Sequence, residues 1–303
     1  MSPPEADVTD KENAALKNIE TLIIGGTGQV GRELISLLTK TGTPTRALVR
    51  STQQATLQES ELLQLMKGDL SVPASLEKPL EGIQRVFLLT RDQPQQGKLE
   101  SEFIEQAKQS GVTKIVKSSA FAAALQPPPG YGIGHAESEK TLMDSGLDWS
   151  IIRPFVFMQN FLELAELARK RSVLPLPMGQ ARIAMIDARD VALAASHVLM
   201  DSGHSGRCYQ LTGPDPLTIA ECAEILSGLL QRKINYRSPP FWFAGLMMRL
   251  QGVSRWDVAM RKQLFKMVRE GGEAQTSAHF EEITGSLPRS ISTFFEDHLS
   301  EFG

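Results

Sequence analysis

The stretch "ETLIIGGTGQVGRELISLL", Glu20 to Leu38, constrains this chain more than any other feature. A short β-branched run ends in glycines, and a helical pattern starts at once with Val30, Leu34, Leu37 and Leu38 in helical spacing, closing on Gly42. The glycines satisfy G-x-G-x-x-G at Gly26, Gly28 and Gly31, and G-x-x-G-x-x-G at Gly25, Gly28 and Gly31. In a strand-loop-helix setting these spacings have a physical reading. One glycine permits the sharp turn, another lets backbone approach a pyrophosphate, and the last allows close helix–strand contact. The helix N-terminus then turns unpaired N–H groups towards the phosphates. The loop predicts dinucleotide binding; the alternative is a plain tight turn.

The chain repeats the pattern that the loop begins. Short apolar runs, "TRALVR", "ELLQLMKGDL", "QRVFLLT", "TKIVKSSA" and "LDWSIIRP", alternate with helical stretches such as "LESEFIEQAKQSG". This rhythm predicts an α/β fold with a doubly wound parallel sheet. After Pro154 the rhythm changes. "FVFMQNFLELAELARKRS" reads as a helix, and "ARIAMIDARDVALAASHVLM" as a strand turn followed by a helix capped by Asp187 or Asp190. "GRCYQLTGPDPLT" reads as a further strand, and Thr218 as the cap of "IAECAEILSGLLQ". The expected division is a disordered extension at 1–18, a nucleotide-binding domain at 19–155 to which 181–212 returns, and a smaller, interleaved, mainly helical lobe from 156–180 and 213–303.

About twenty residues beyond the loop, at the end of "TRALVR", an NAD site would place an acid against the adenosine ribose. Arg50 stands there, followed by Ser51 and Thr52. A guanidinium favours a 2'-phosphate through a charge-assisted contact, so NADP(H) is expected over NAD(H); the alternative is a solvated surface arginine. The net charge of -3 leaves no general electrostatic footprint for nucleic acid or an anionic membrane, and such a partner would need a local patch. Cys208 and Cys222 have no metal-ligand spacing and the five histidines are scattered, so no metal is expected. Without an apolar run long enough to span a bilayer or a leader-like start, a cytoplasmic protein is expected.

With these residues in view, the chain resembles the short-chain dehydrogenase/reductase superfamily. More narrowly, it is similar to the atypical branch that contains NmrA-like proteins and type-2 NAD(P)H:quinone or dye reductases. The segments that carry the resemblance are "GGTGQVG", "RALVR", "GDL", "IVKSSA", "HAESEKTLMDSGLDWSIIRPFVFMQNF", "IDARDVA", "YQLTGPDPLTIAECAEILS" and "ITGSLPRSISTFFEDHL". The resemblance implies a Rossmann domain with a C-terminal substrate lobe. It implies Thr27, Gly28, Gln29 and Val30 around the pyrophosphate and Arg50 at the adenosine phosphate. Asp69 and Leu70 would border the adenine, with a solvent-facing turn acid as the other reading of Asp69. Leu89, Thr90 and Ser119 would line the nicotinamide end, and Pro154 and Phe155 would set backbone beside the carboxamide, unless the apolar members are simply core.

In the wider superfamily the catalytic pair is Tyr-x-x-x-Lys, in which the lysine lowers the tyrosine pKa. In "YGIGHAESEK" Tyr131 holds the tyrosine position by spacing, His135 holds the lysine position, and Glu139 follows, as NmrA-like sequences often have it. Tyr131 and His135 are therefore the candidate catalytic residues, and His135 is also a candidate contact of the cofactor through a ribose hydroxyl. Their alternatives are a pocket-wall tyrosine and a capping or surface histidine, and Glu139 reads as a helix-start acid or supporting partner. A histidine is a weaker substitute for the lysine charge, which argues against alcohol–ketone chemistry. A quinone, azo or cationic dye is a different acceptor, since hydride produces a delocalised or neutralised product that solvent can protonate. The expected function is an NADPH-dependent reductase of quinone-like or other conjugated acceptors. The alternative is a catalytically silent NADP(H) sensor that docks to a protein.

Two further groups bear on that choice. Phe241, Trp242, Phe243, Met247 and Met248 either wall a pocket for a flat aromatic acceptor or form the core of the lobe. Arg255, Arg261, Lys262, Lys266 and Arg269 form either a solvated helix face or a docking face for an acidic protein partner. Phe157, Met158, Asn160 and Phe161 fall just beyond the expected nicotinamide position and are candidates for touching substrate.

Overall fold

The computed structural model describes residues 18–53, 56–271 and 274–303, so all of the expected N-terminal extension except Asn18 lies outside the described residues. Seven strands form one parallel sheet: β1 (Thr21–Ile23), β2 (Thr45–Val49), β3 (Leu63–Lys67), β4 (Arg85–Leu88), β5 (Lys114–Ser118), β6 (Asp148–Pro154) and β8 (Arg207–Leu211). Their order is β3-β2-β1-β4-β5-β6-β8, a doubly wound arrangement whose order reverses between β1 and β4. Crevices at such a reversal, outside the carboxyl ends of the strands, are where ligands bind in sheets of this kind.

The strands are apolar on both faces because helices cover both. Ile23, Phe87, Val116 and Ile152 turn one way, into a core completed by α1 (Gln29–Lys40) and α5 (Ala188–Met200). Leu22, Val86, Ile115 and Ile151 turn the other way, towards Phe103 and Ile104 of α2 (Gln96–Gln109) and Leu142 of α3 (Gly132–Asp144). That alternation follows from the period of two along each strand.

A third core gathers the rest of the chain. It joins Ala165 and Ala168 of α4 (Ala165–Arg171), Leu174 of β7 (Val173–Pro175) and Leu226 of α6 (Ile219–Leu230). Phe265 and Val268 of α8 (Arg255–Arg269) and Phe294 and Phe295 of α10 (Ile291–Asp297) complete it, while α9 (His279–Thr284) packs on α5 and β8. β7 pairs in parallel with β9 (Asn235–Arg237), and α7 (Phe241–Leu250) follows that ribbon. Asp187 caps α5, accepting from the Arg189 N–H at 2.8 Å, whereas Asp190 is used in an ion pair with Arg289. Thr218 and Glu221 form a complete capping box at the start of α6.

One segment differs from its expected form. The stretch from Phe155 is not a single helix: Phe155 N–H donates to Leu211 O at 3.0 Å, and Ile186 N–H donates to Val156 O at 3.0 Å. These bonds hold 155–157 extended, a 3-10 stretch follows at Met158–Leu164, and α-helix begins only at Ala165. Backbone pairing with neighbouring segments overrides the helical pattern here.

Candidate active site

The phosphate loop is assembled by steric necessity. Gly25 has φ +82°, and a Cβ there would lie 2.4 Å from Leu89 O. A Cβ on Gly31 would lie 2.2 Å from Gly25 O, so α1 rests directly on the loop. Gly28 is the N-cap of α1 and brings no side-chain cap, while Thr27, Gly28 and Gln29 are exposed and Val30 is buried. The first turn of α1 therefore keeps free N–H donors facing outwards, the arrangement that suits a phosphate.

Arg50 lies exposed just past β2, and Asp69 and Leu70 lie just past β3. The Asp69 carboxylate is engaged locally: it accepts from Ser71 N–H at 2.8 Å and from Ser71 Oγ at 2.7 Å. Those bonds, with the Arg50 charge as a smaller contribution, hold it below the usual carboxylate range. The acid thus closes its own turn, beside Arg50, at the open end of the sheet.

The other sequence-selected residues meet in one cleft of about 1560 Å³. Gln29 and Val30 enter from the phosphate loop, Leu89 and Thr90 from the end of β4, Ser119 from the end of β5, and Pro154 and Phe155 from the end of β6. Tyr131 and His135 of the α3 start line the same space. Gly25, Thr27, Gly28, Gly31, Arg50, Asp69 and Leu70 lie outside it, along the strand ends towards β3. The opposite wall comes from α7 and α8 through Phe243, Met247, Met248, Met260 and Leu264. Phe157, Asn160 and Phe161 also line the cleft, whereas Met158 is in the core. Phe241 instead stacks on Phe265 with ring centroids 6.1 Å apart, and Trp242 faces solvent at 71% exposure. The Ser119 hydroxyl is buried at the edge of this cleft without a hydrogen-bond partner among the described residues.

Beneath the cleft floor lies a polar network that the sequence did not bring together. Lys117, in mid-sheet between Leu88 and Ile151, is fully buried and ion-paired with the equally buried Glu100 of α2. Thr90 Oγ1 donates to Glu100 Oε1 at 2.7 Å, and Ser138 Oγ donates to Glu100 Oε2 at 2.7 Å. Burial by itself would push the Glu100 carboxyl up, but the charge of Lys117 and the hydrogen bonds from Lys117 and Thr90 outweigh it and hold the group below its usual range. His135 is 3% exposed, with Nδ1 3.4 Å from Lys117 Nζ and Nε2 3.2 Å from Asp92 Oδ1. An ammonium has no acceptor, so this geometry selects the tautomer in which Nδ1 accepts and Nε2–H is donated to the half-exposed Asp92 carboxylate. The Gln96 amide lies against the same ring, within 3.4 Å.

Tyr131 is the residue before α3, edge-on to His135 with ring centroids 6.5 Å apart. Glu139, one turn beyond His135, is turned away into a bidentate pair with Arg153 of β6, at 2.9 and 2.5 Å, which pins α3 to the sheet. The signal for the missed network was Lys117 itself, a cation inside an otherwise apolar strand.

A model of the NmrA-like family matches residues 17–302. The chain is 31% identical over 282 residues to an NAD(P)H azoreductase of Xenophilus azovorans, covering 93% of this chain and 99% of that one. It is 28% identical over 219 residues to quinone oxidoreductase 2 of Escherichia coli, covering 71% of this chain and 76% of the relative. Among solved structures, an NADPH-dependent quinone oxidoreductase of Escherichia coli in complex with NADPH superposes with a TM-score of 0.82 at 24% identity, covering 92% of this chain and 99% of that one.

Proposed function

The chain belongs to the NmrA-like family, and from that premise we propose that it is an NADPH-dependent oxidoreductase that reduces quinone-like, azo or otherwise conjugated acceptors. One observation carries the reading: a single cleft of about 1560 Å³ runs from the phosphate loop to an apolar wall rich in methionine. The named relatives, an azoreductase and a quinone oxidoreductase, act on acceptors of that class.

The residues present fit a dinucleotide. The uncapped start of α1, the glycines that admit no Cβ and the buried Ser119 hydroxyl, which has no partner among the described residues, are what such a ligand would use. In this reading Gly25, Thr27, Gly28, Gln29, Val30 and Gly31 hold the pyrophosphate. Arg50 takes the 2'-phosphate that favours NADP(H), beside the turn at Asp69 and Leu70, and Leu89, Thr90, Ser119, Pro154 and Phe155 frame the nicotinamide. The bound cofactor supplies the hydride. Thr90, its hydroxyl proton committed to Glu100, presents oxygen lone pairs. His135 holds a proton at Nε2 against Asp92, and with the Tyr131 phenol it forms the proton-bearing side of the cleft. Phe243, Met247 and Met248 exclude water and hold a flat acceptor.

We assign residues 19–155 and 181–212 to the cofactor domain, 156–180 and 213–303 to the substrate lobe, and the protein to the cytoplasm. The reading is tested by NADPH consumption that depends on an added quinone or azo compound.

A further inference from the structure

α7 is an anomaly in a folded chain, because none of its ten residues is buried. Trp242, Leu246 and Leu250 are 71, 50 and 73% exposed, and Phe243 and Met247 are 43 and 41% exposed. At about 100° per residue these five side chains occupy a continuous arc of roughly 140°. Phe241 and Met248 fall outside the arc and pack against the core of the lobe. Phe243 and Met247, at one edge of the arc, also line the cleft, so the apolar surface runs from open solvent into the cleft mouth.

The charge around this helix is equally uneven. Residues 232–271 hold nine Lys and Arg against Asp257 and Glu270 only, a net +7 that leaves the remainder of the chain at -10 to give the total of -3. Arg261 pairs with Glu163 at 3.1 Å and Lys266 with Glu270 at 3.9 Å. Arg237, Arg249, Arg255 and Lys262 form no salt bridge among the described residues. Arg249 borders the arc about 20° from Trp242, where its stem can lie along apolar surface while its charge reaches a polar layer.

We infer that α7 and the basic stretch around it form a docking surface for an anionic lipid bilayer. The ten residues of α7 are too few to cross a bilayer, and no described helix is long and apolar enough to do so, but an exposed apolar arc flanked by cations suits a helix lying in the interface. A bilayer meets both halves of the surface at once, with acyl chains for Trp242, Leu246 and Leu250 and anionic headgroups for the unpaired cations. A second copy of this chain meets neither requirement well, because a two-fold contact would press the cations without a salt bridge, Arg249 among them, towards their own copies. The local patch required of a protein with net charge -3 is thus present. On this surface the cleft mouth opens towards the lipid.

The full chain is mixed with phosphatidylcholine vesicles, with or without about a quarter phosphatidylserine, and sedimented. Partition onto the anionic vesicles is expected to exceed that onto neutral ones by at least about tenfold, and to fall about tenfold in the triple variant Trp242→Ser, Leu246→Ser, Leu250→Ser. The three side chains face solvent, and an unchanged unfolding transition confirms the fold. A charge-reversed variant, Arg249→Glu, Arg255→Glu, Lys262→Glu, is expected to lose the preference for phosphatidylserine without any change to the arc. Equal partition onto both vesicles, or anionic binding that the triple variant retains, overturns the inference. So does concentration-dependent self-association abolished by the triple variant, which would give the face to a second copy.

Discussion

An ammonium in the middle of a sheet is costly unless it is paired, and Lys117 shows how this fold meets the requirement. Its partner Glu100 is also fully buried and takes hydrogen bonds from Thr90 and Ser138 as well. Removing one member leaves the other charge stranded. Lys117→Met is therefore expected to destabilise by about 3–5 kcal/mol, and the double variant with Glu100→Leu by much less, as read by denaturant unfolding. Failure of the double variant to recover stability would show that the pair does not act as a unit. The same carboxylate sets an acid dependence. Its folded-state pKa is depressed, so its contribution is present above the unfolded value of about 4.3 and is lost as pH falls through the folded one. Between about pH 5 and more acid conditions, Glu100→Gln should lose stability less steeply than the parent chain; an identical slope would contradict the assignment. Asp187 acts in the same sense, because hydrogen bonds from Arg189 and Gln159 overcome the upward push of burial, whereas Asp190, raised chiefly by burial, opposes it.

Elements show where sequence suffices. The strands and the glycine loop are legible because their causes are local: β-branched runs, short continuous apolar runs, and turns that only glycine permits. Gly31 is the sharpest instance. A methyl group there meets Gly25 O at 2.2 Å, so Gly31→Ala must lift α1 from the loop. NADPH affinity should fall by more than about tenfold, measured by cofactor fluorescence, while the sheet persists by circular dichroism. Tight binding by that variant would remove the loop from the site. The stretch after Pro154 was not legible, because its backbone is held extended by Ile186 and Leu211, partners tens of residues away. The network was half legible. Lys117 in "TKIVKSSA" demands an acid, but "LESEFIEQAKQ" offers Glu100, Glu102 and Glu105, and only packing selects among them. The aromatic and methionine-rich α7 misled in a different way, since one side walls the cleft and another is left in solvent.

At the scale of the whole molecule, the doubly wound sheet sets its strand ends along one edge, and the C-terminal helices close an apolar wall over half of it. Phosphate loop, buried His135 network and methionine wall then face a common space, which is why the departure from Tyr-x-x-x-Lys does not preclude reduction of a conjugated acceptor. The most direct measurement is single-turnover oxidation of NADPH, deuterated at C4 on one face or the other, by the purified protein with a quinone or an azo compound. The account predicts oxidation that requires the acceptor and is slowed by deuterium on one face only. Tight binding of NADPH with no oxidation by any acceptor would contradict it and leave a protein that holds the cofactor without using it.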